Sequence, residues 1–498
     1  MAIIDARTLP DASPIEADLV IIGGGMAGIA LAKELAGGPL KVVILEGGGL
    51  EIDMENQALY AGSGVQTAPG NPDRAFDAYP IQSRIRALGG SGMVWGGKCA
   101  PLDPADFAER AWIPHSGWPI TREQMQPYYD RACDLLEIPR FPLERKASAD
   151  PALQPLALDA ADGFFPAPRE FSKFSGGTDK AAFDAFRTKF ADAANITVYL
   201  HANVVRIRRQ GAEIVGLDIA CLDGKRHSAK AARYVLATGG IENVRLLLAS
   251  DGLGNRQDLV GRFFQGHVTY SNEGDAGNEG TAVAIARAEP LDLYAPTKRM
   301  AAHCVIGSGL KAQTRMKTGN FTATLFRADV PDPDSKTIAK TNARTGDGQL
   351  LGYFAMTEHF PNPDSRVTLD PDHKDTLGVP RVRLTWTYGE KDYAYLERSV
   401  IGLSDALGAS GEGRMCWAIP RGKLLAISSA SRHHMGTTRM HADPKKGVVD
   451  ADLRLHEARN LYVAGSSVFP TSGIANPTLT ILALVMRLAD HLKSETVQ

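Results

Sequence analysis

Two distant stretches of this chain carry residues that could do chemistry together. One is Gly23-x-Gly25-x-x-Gly28, preceded by Asp18-Leu19-Val20-Ile21-Ile22 and followed, 18 residues after Gly28, by Glu46. The other holds Arg432-His433-His434-Met435-Gly436-Thr437-Thr438-Arg439-Met440 and then Ser472-Gly473-Ile474-Ala475-Asn476-Pro477-Thr478-Leu479-Thr480. Oxidising an alcohol removes a proton from oxygen and a hydride from carbon. A bound redox dinucleotide can take the hydride. A histidine suits the proton, because its ordinary pKa lies near neutrality. A hydride-transfer enzyme needs both stretches, and few other proteins do.

The first stretch has a physical reading. Residues 18–22 are rich in Val and Ile, as a buried parallel strand would be. Gly23 permits a tight turn, Gly25 lets a pyrophosphate approach the backbone, and Gly28 lets helix pack on strand. Residues 26–35 continue as an Ala/Leu-rich helix whose N-terminus faces the phosphates. Residues 41–45 (KVVIL) are the second strand, and Glu46 ends it where an acid binds ribose hydroxyls. A carboxylate there repels a 2′-phosphate and disfavours NADP. FAD and NAD are not separated by this unit alone.

A chain of 498 residues is long enough for two domains. Its 55 basic and 57 acidic residues nearly balance, so neither a nucleic-acid stripe nor a lipid-binding cluster is expected. The five cysteines, Cys99, Cys133, Cys221, Cys304 and Cys416, are scattered without CxxC spacing and are expected as buried free thiols. No metal-ligand cluster is expected. Residues 1–14 lack a signal-peptide pattern and no apolar run is long enough to span a bilayer, so a cytoplasmic protein without direct membrane insertion is the expectation.

Further along, residues 202–207 and 213–220 read as strands, and residues 233–240 as a strand entering an Ala-Thr-Gly turn. Residues 241–250 have helical character, and residues 460–467 form another short strand ending in small residues. One glycine fingerprint joined by two distant strand–glycine turns is the pattern of a flavin-type Rossmann domain built from separated segments. Between about 263 and 430 the pattern alternates: 281–286, 301–306, 321–326, 350–358, 366–369 and 382–386 read as strands of an antiparallel sheet. Residues 330–348 are polar and bear Pro and Gly, as a mobile loop would.

Together these residues resemble the glucose–methanol–choline (GMC) family of FAD-dependent oxidoreductases. The carriers are Gly23–Gly28 with Glu46, the run Arg86-Ala87-Leu88-Gly89-Gly90-Ser91-Gly92-Met93-Val94-Trp95-Gly96-Gly97, Val204, Ala237-Thr238-Gly239 and the two C-terminal stretches. The C-terminal stretches are most similar to the bacterial branch of pyranose oxidases and sugar or glycoside dehydrogenases. The resemblance implies an α/β fold: a discontinuous Rossmann-like FAD domain, plus a substrate domain with a large, mostly antiparallel sheet backed by helices. The expected boundaries are 1–265 for the first FAD-binding part, with substrate-facing segments around 50–80 and 140–196. Residues 266–430 would be the substrate domain, and 431–498 the part carrying the catalytic pair. The FAD-binding core itself is expected from about 17–100, 197–266 and 433–492.

The resemblance also implies roles. His433, in H-x-x-G-T, is the expected base, and Asn476 is expected to hold the substrate oxygen. Asn476 followed by Pro477 also suits an N-cap and first helical residue, opening a helix from Thr478 to about Leu492. Implied cofactor contacts are Gly23, Gly25, Met26, Ala27, Gly28, Glu46, Arg86, Gly90, Ser91, Gly92, Val94, Trp95, Val204, Ala237, Thr238, Gly465, Pro477 and Thr478. His434 either touches substrate or packs beside the base, and His359 lines the substrate side. His267, His303 and His441 sit in no catalytic motif. Pyranose oxidases bind flavin covalently through a histidine where this chain has Val94, so noncovalent FAD is expected. The implied activity is oxidation of a secondary hydroxyl of a sugar or glycoside, with a primary or aromatic alcohol as the alternative. The electron acceptor stays open among oxygen, a quinone and a protein. An NADH-linked flavoprotein would need a second fingerprint or a CxxC, and neither occurs. A non-catalytic FAD subunit would not need His433 and Asn476.

Overall fold

The computed structural model describes residues 2–143, 156, 158, 163–177, 179–189, 192–271, 282–285, 302–326, 349–416 and 428–495. Among these residues the strands form three sheets. The expected loop at 330–348 lies outside the described residues.

The first sheet starts from the sequence's most apolar run. Leu19, Val20, Ile21 and Ile22 close the strand Pro14–Ile22 and are buried on both faces, as a central parallel strand must be. Val42–Leu45 lies on one side and Arg226–Leu236 on the other, both parallel to it. Ile196–Leu200 and then Ala2–Asp5 extend the parallel edge. Beyond Arg226–Leu236 the pairing turns antiparallel through Glu213–Ala220 and Asn203–Gln210. The late strand Leu461–Val463 pairs in parallel with the end of Arg226–Leu236. Ala2–Asp5 is an addition to the expected core, which began near residue 17.

Register decides where a ligand can sit. Ile22 stands opposite Leu45 and Leu236, and Leu236 opposite Val463. Four strands therefore end together, and the residues that follow them, Gly23, Glu46, Ala237 and Ala464, meet at the carboxyl edge of the sheet. Open parallel sheets bind ligands at that edge. The helix Met26–Leu35 follows its glycine turn as expected and packs against the last helix, Thr478–Ser494.

The second sheet has nine strands. Gln349–Glu358 lies within it, between Phe321–Phe326 on one side and Ala282–Ile285 and His267–Ser271 on the other, all antiparallel. Phe164–Phe171, from the stretch expected to face the substrate, is an interior strand between Ala302–Ser308 and the short Lys98–Cys99.

One expectation changes here. Arg366–Lys374 and Pro380–Thr387 do not join the large sheet. They form a third sheet with Gly62–Thr67 and Arg74–Ala75, in which Pro380–Thr387 runs parallel to Gly62–Thr67. Strand alternation alone names no partner. What seats this pair is Trp386, fully buried, with its ring edge-on to Phe264 at 5.1 Å and near Tyr79 at 5.5 Å. Cys99, Cys133, Cys221 and Cys304 are buried free thiols.

Candidate active site

A cavity of about 510 Å³ opens at the shared carboxyl edge. Every residue expected to touch the cofactor lines it except Gly28. Gly28 serves the turn from beneath: a Cβ there would stand 2.1 Å from the Gly23 carbonyl oxygen. Gly25 is the opposite case, since a Cβ there would meet nothing within 4 Å. The space in front of Gly25 is open, and Gly25 caps the helix Met26–Leu35 without any side-chain hydrogen bond. The first-turn N–H groups are therefore free to bind phosphate oxygens. Glu46 is held in place because Gly24 and Gly48 donate their N–H groups to its two oxygens, each at 2.8 Å. Thr238 is fixed by donating to Asn243 Oδ1 from its N–H at 2.8 Å. These residues fit a dinucleotide whose pyrophosphate crosses the helix and whose ribose reaches Glu46.

Arg86 lines the same cavity, but its guanidinium is already engaged. Nε and Nη2 donate to Asn203 Oδ1 at 3.1 and 2.8 Å, and the group lies over the Tyr60 ring. It shapes the wall more than it offers a free fork. Trp95 is likewise anchored by donating Nε1–H to the Phe174 carbonyl at 2.8 Å.

At the far end of the cavity stand His433, His434 and Asn476. His433 Nε2 is 3.3 Å from Asn476 Nδ2. The sequence separates those residues by 43 positions, and the fold closes the gap. Asn476 makes no side-chain cap on the helix Thr478–Ser494, a correction to the N-cap expectation. Its amide faces the histidine instead. Pro477 supplies helical φ at the entry, and the helix start, without a side-chain cap hydrogen bond, presents its positive end.

His434 sits beside His433 in a different setting. Tyr79 Oη donates to the Ser431 carbonyl and lies 3.0 Å from His434 Nε2. A hydroxyl has one proton to give, so Tyr79 accepts from His434 and His434 carries its proton on Nε2. Burial, with Arg84 and His433 behind it, pushes its pKa down to about 3. A neutral donor locked to Tyr79 does not serve as a base. His359 corrects an expectation: it is fully buried, its Nε2 lies 3.2 Å from the Thr387 carbonyl, and it does not line the cavity. Its strand-end position looked substrate-facing, but the Trp386–Tyr388 wall encloses it.

Burial, and then the nearby Lys98 charge, holds His433 down at about 4. Lys98 is itself pulled down to about 8 by burial and by Arg169. At neutral pH His433 is therefore an unprotonated imidazole, the form a base requires.

Several cavity residues carry no sequence signal. Lys98 and Arg432 lie between or beside motifs; Tyr79, which reaches His434 from outside the cavity lining, follows an unremarkable loop. His267 sits in no motif, yet its Nδ1 is 3.0 Å from His433 Nδ1.

Residues 361–484 match the family model described as GMC oxidoreductase, and residues 18–85 match an FAD binding domain. The chain is 26% identical to the 2-methyl-1,2-propanediol dehydrogenase of Mycolicibacterium austroafricanum, over 96% of this chain and 95% of that one. It is also 26% identical to the fructose dehydrogenase large subunit of Gluconobacter japonicus, over 97% and 99%. The crystal structure of pyridoxine 4-oxidase from "Mesorbium loti" superposes with a TM-score of 0.58 at 20% identity, covering 96% of this chain and 99% of that one.

Residues 361–484 thus carry a GMC oxidoreductase domain and residues 18–85 an FAD-binding one, and the chain is similar to GMC oxidoreductases along its length. The protein is an FAD-dependent enzyme acting on alcohol CH–OH groups. Its fold is the family's pairing of an FAD-binding sheet with a second, antiparallel sheet. No helix among the described residues is long and apolar enough to cross a membrane.

Proposed function

We propose that this enzyme oxidises a secondary hydroxyl of a sugar or glycoside, with His433 as the base and Asn476 as the group that holds the substrate oxygen. The observation that carries the pair is the 3.3 Å approach of His433 Nε2 to Asn476 Nδ2 at one end of the cofactor cavity. Bound FAD supplies the hydride acceptor of the reaction. His433 Nε2 takes the hydroxyl proton, and burial keeps that nitrogen free at neutral pH. The Asn476 amide donates to the substrate oxygen and fixes its position. Sugar chemistry is supported by the family branch and by the fructose dehydrogenase relative. The propanediol dehydrogenase relative is the specific observation favouring a small aliphatic alcohol as the second reading.

The FAD is held noncovalently on this reading. Val94 lines the cavity at the position of the linking histidine, and an alkyl side chain forms no bond to flavin. The FAD-binding part is discontinuous, and the nine-stranded sheet forms most of the substrate part. An anaerobic panel of sugars, glycosides, small diols, benzylic alcohols and NADH, read by bleaching of the flavin absorbance, tests the function. Bleaching by sugars or glycosides is expected. Bleaching by NADH alone overturns the alcohol-oxidising role, and bleaching by diols alone selects the second reading. Acid precipitation should leave the yellow chromophore in the supernatant.

A further inference from the structure

We propose that His267 is a positioning residue: its imidazole accepts a hydrogen bond from His433 and so fixes the tautomer that turns the His433 Nε2 lone pair toward the substrate. The inference rests on the reading of His433 as the base and adds a residue that no motif announces.

His267 opens the strand His267–Ser271, whose register against Gln349–Glu358 places it opposite Glu358. Its side chain is fully buried, and its N–H donates to Ser431 Oγ at 2.9 Å. Ser431 lies two residues before His433 and also accepts from Tyr79 through its carbonyl. One serine thus ties the strand to the histidine segment. The two rings meet edge to face, 79° apart, with the Nδ1 atoms separated by 3.0 Å. That distance is a hydrogen bond between two nitrogens, so one ring donates and the other accepts.

The surroundings choose the direction. On the far side, His267 Nε2 makes no hydrogen bond of normal geometry. The acceptors acting on that ring are the main-chain carbonyls of Ser472 and Gly473. A carbonyl has no proton to give, so nothing on that side opposes a proton on Nε2. With the proton there, His267 Nδ1 is an acceptor, and His433 must carry its own proton on Nδ1. At the other end of His433, the Asn476 amide nitrogen faces Nε2 at 3.3 Å, which suits a lone pair and not a second N–H. The two contacts, Asn476 with His433 and His433 with His267, agree on one arrangement. Asn476 donates to His433 Nε2, His433 Nδ1–H donates to His267 Nδ1, and the His267 proton is left on Nε2.

A carboxylate often orients a catalytic histidine in this way. The charged and titratable groups acting on His433 are Lys98 from the strand Lys98–Cys99, His434 from its own segment and His267. Among the described residues no carboxylate acts on it. A neutral partner orients the ring without raising its pKa, and when Nε2 takes the substrate proton the Nδ1–H···Nδ1 bond becomes charge-assisted.

The experiment uses the holoenzyme, with anaerobic stopped-flow flavin reduction across pH for His267→Ala, His267→Asn and His267→Asp. FAD content is read from the absorbance of each variant. Losing a group that orients a reactive imidazole typically costs about 10–100-fold, so His267→Ala should lose that much in rate while retaining FAD. His267→Asn presents Oδ1 close to the old Nδ1 position and should restore most of it. His267→Asp should move the acid limb of the rate profile up by about 1–3 pH units, because an opposite charge at that range stabilises the imidazolium. Long-range ¹H–¹⁵N spectra of histidine-labelled wild type, assigned against His433→Gln, should show His433 as the Nδ1–H tautomer. An Nε2–H tautomer in wild type overturns the proposal whatever the variants do, including variants that fail to fold. Equal damage in Ala and Asn with an unmoved acid limb in Asp also overturns it and leaves a packing role. If His433→Ala reduces at the wild-type rate, the base assignment fails instead, and the tautomer result stands apart from it.

Discussion

The two ends of the cofactor cavity are built on different scales. At the nucleotide end, residues 22–28 and 45–48 form one βαβ unit, and Glu46 is fixed by the N–H groups of Gly24 and Gly48. At the histidine end, His433 meets His267 across 166 positions and Asn476 across 43, while Tyr79 reaches His434 across 355. The nucleotide end depends on backbone geometry that a short sequence imposes wherever it folds. The histidine end exists only once three sheets have assembled. A substitution at the first end should therefore act through binding and folding, and one at the second through rate.

The sharpest test of that contrast is Gly28→Val against Gly25→Ala. A side chain at Gly28 meets the Gly23 carbonyl at 2.1 Å, whereas one at Gly25 meets no protein atom within 4 Å. The valine variant should purify without flavin or fail to fold. The alanine variant should fold and hold less FAD, because its methyl occupies the phosphate approach. Flavin absorbance per chain and thermal unfolding distinguish them, and equal behaviour would break the comparison.

Next in size is His433→Ala, which should slow anaerobic flavin reduction by about 10²–10⁴-fold while FAD stays bound. Asn476→Ala should slow it less, with a defect nearly constant across pH, since an amide does not titrate there. Loss of FAD in either variant would mean that the two ends are not separable.

A smaller effect concerns acid. The folded protein holds His433 at about 4 and His434 at about 3, below the ordinary value of about 6.5. The unfolded chain therefore binds more protons below pH 6.5, and stability falls as pH drops from there toward 4. The holoenzyme's melting temperature should decline through that window. His434→Gln, which removes one buried titration, should make the decline shallower. A decline of unchanged steepness would show that His434 is not held neutral in the fold.

The smallest effect is expected from His434→Ala on rate. Its Nε2–H is committed to Tyr79, so reduction should slow far less than in His433→Ala. A dead His434→Ala with an active His433→Ala would move the base by one residue and undo the assignment of both histidines.

Much of the nucleotide end was legible in the residues. The helix Met26–Leu35 and the strand Glu213–Ala220 have the expected bounds, because local periodicity and the glycine turn set them. The expected strands at 281–286, 321–326 and 350–358 appear within a residue or so. Which strands pair was not legible: Arg366–Lys374 and Pro380–Thr387 alternate like the rest yet join Gly62–Thr67. Alternation specifies two faces and leaves the hydrogen-bonding edges open.

The residues alone determined the glycine turn, the helix that follows it and the acid that ends the second strand, a unit suited to a dinucleotide. Those are properties of a few consecutive dihedral angles and one helix end, and no distant contact is needed to produce them. Only the tertiary structure decided that His359 is walled in, that Asn476 faces a histidine in place of capping its helix, and that His267 stands against His433. A buried imidazole takes its tautomer and pKa from whatever packs around it. Those neighbours arrive from separate sheets, so no spacing along the chain encodes them.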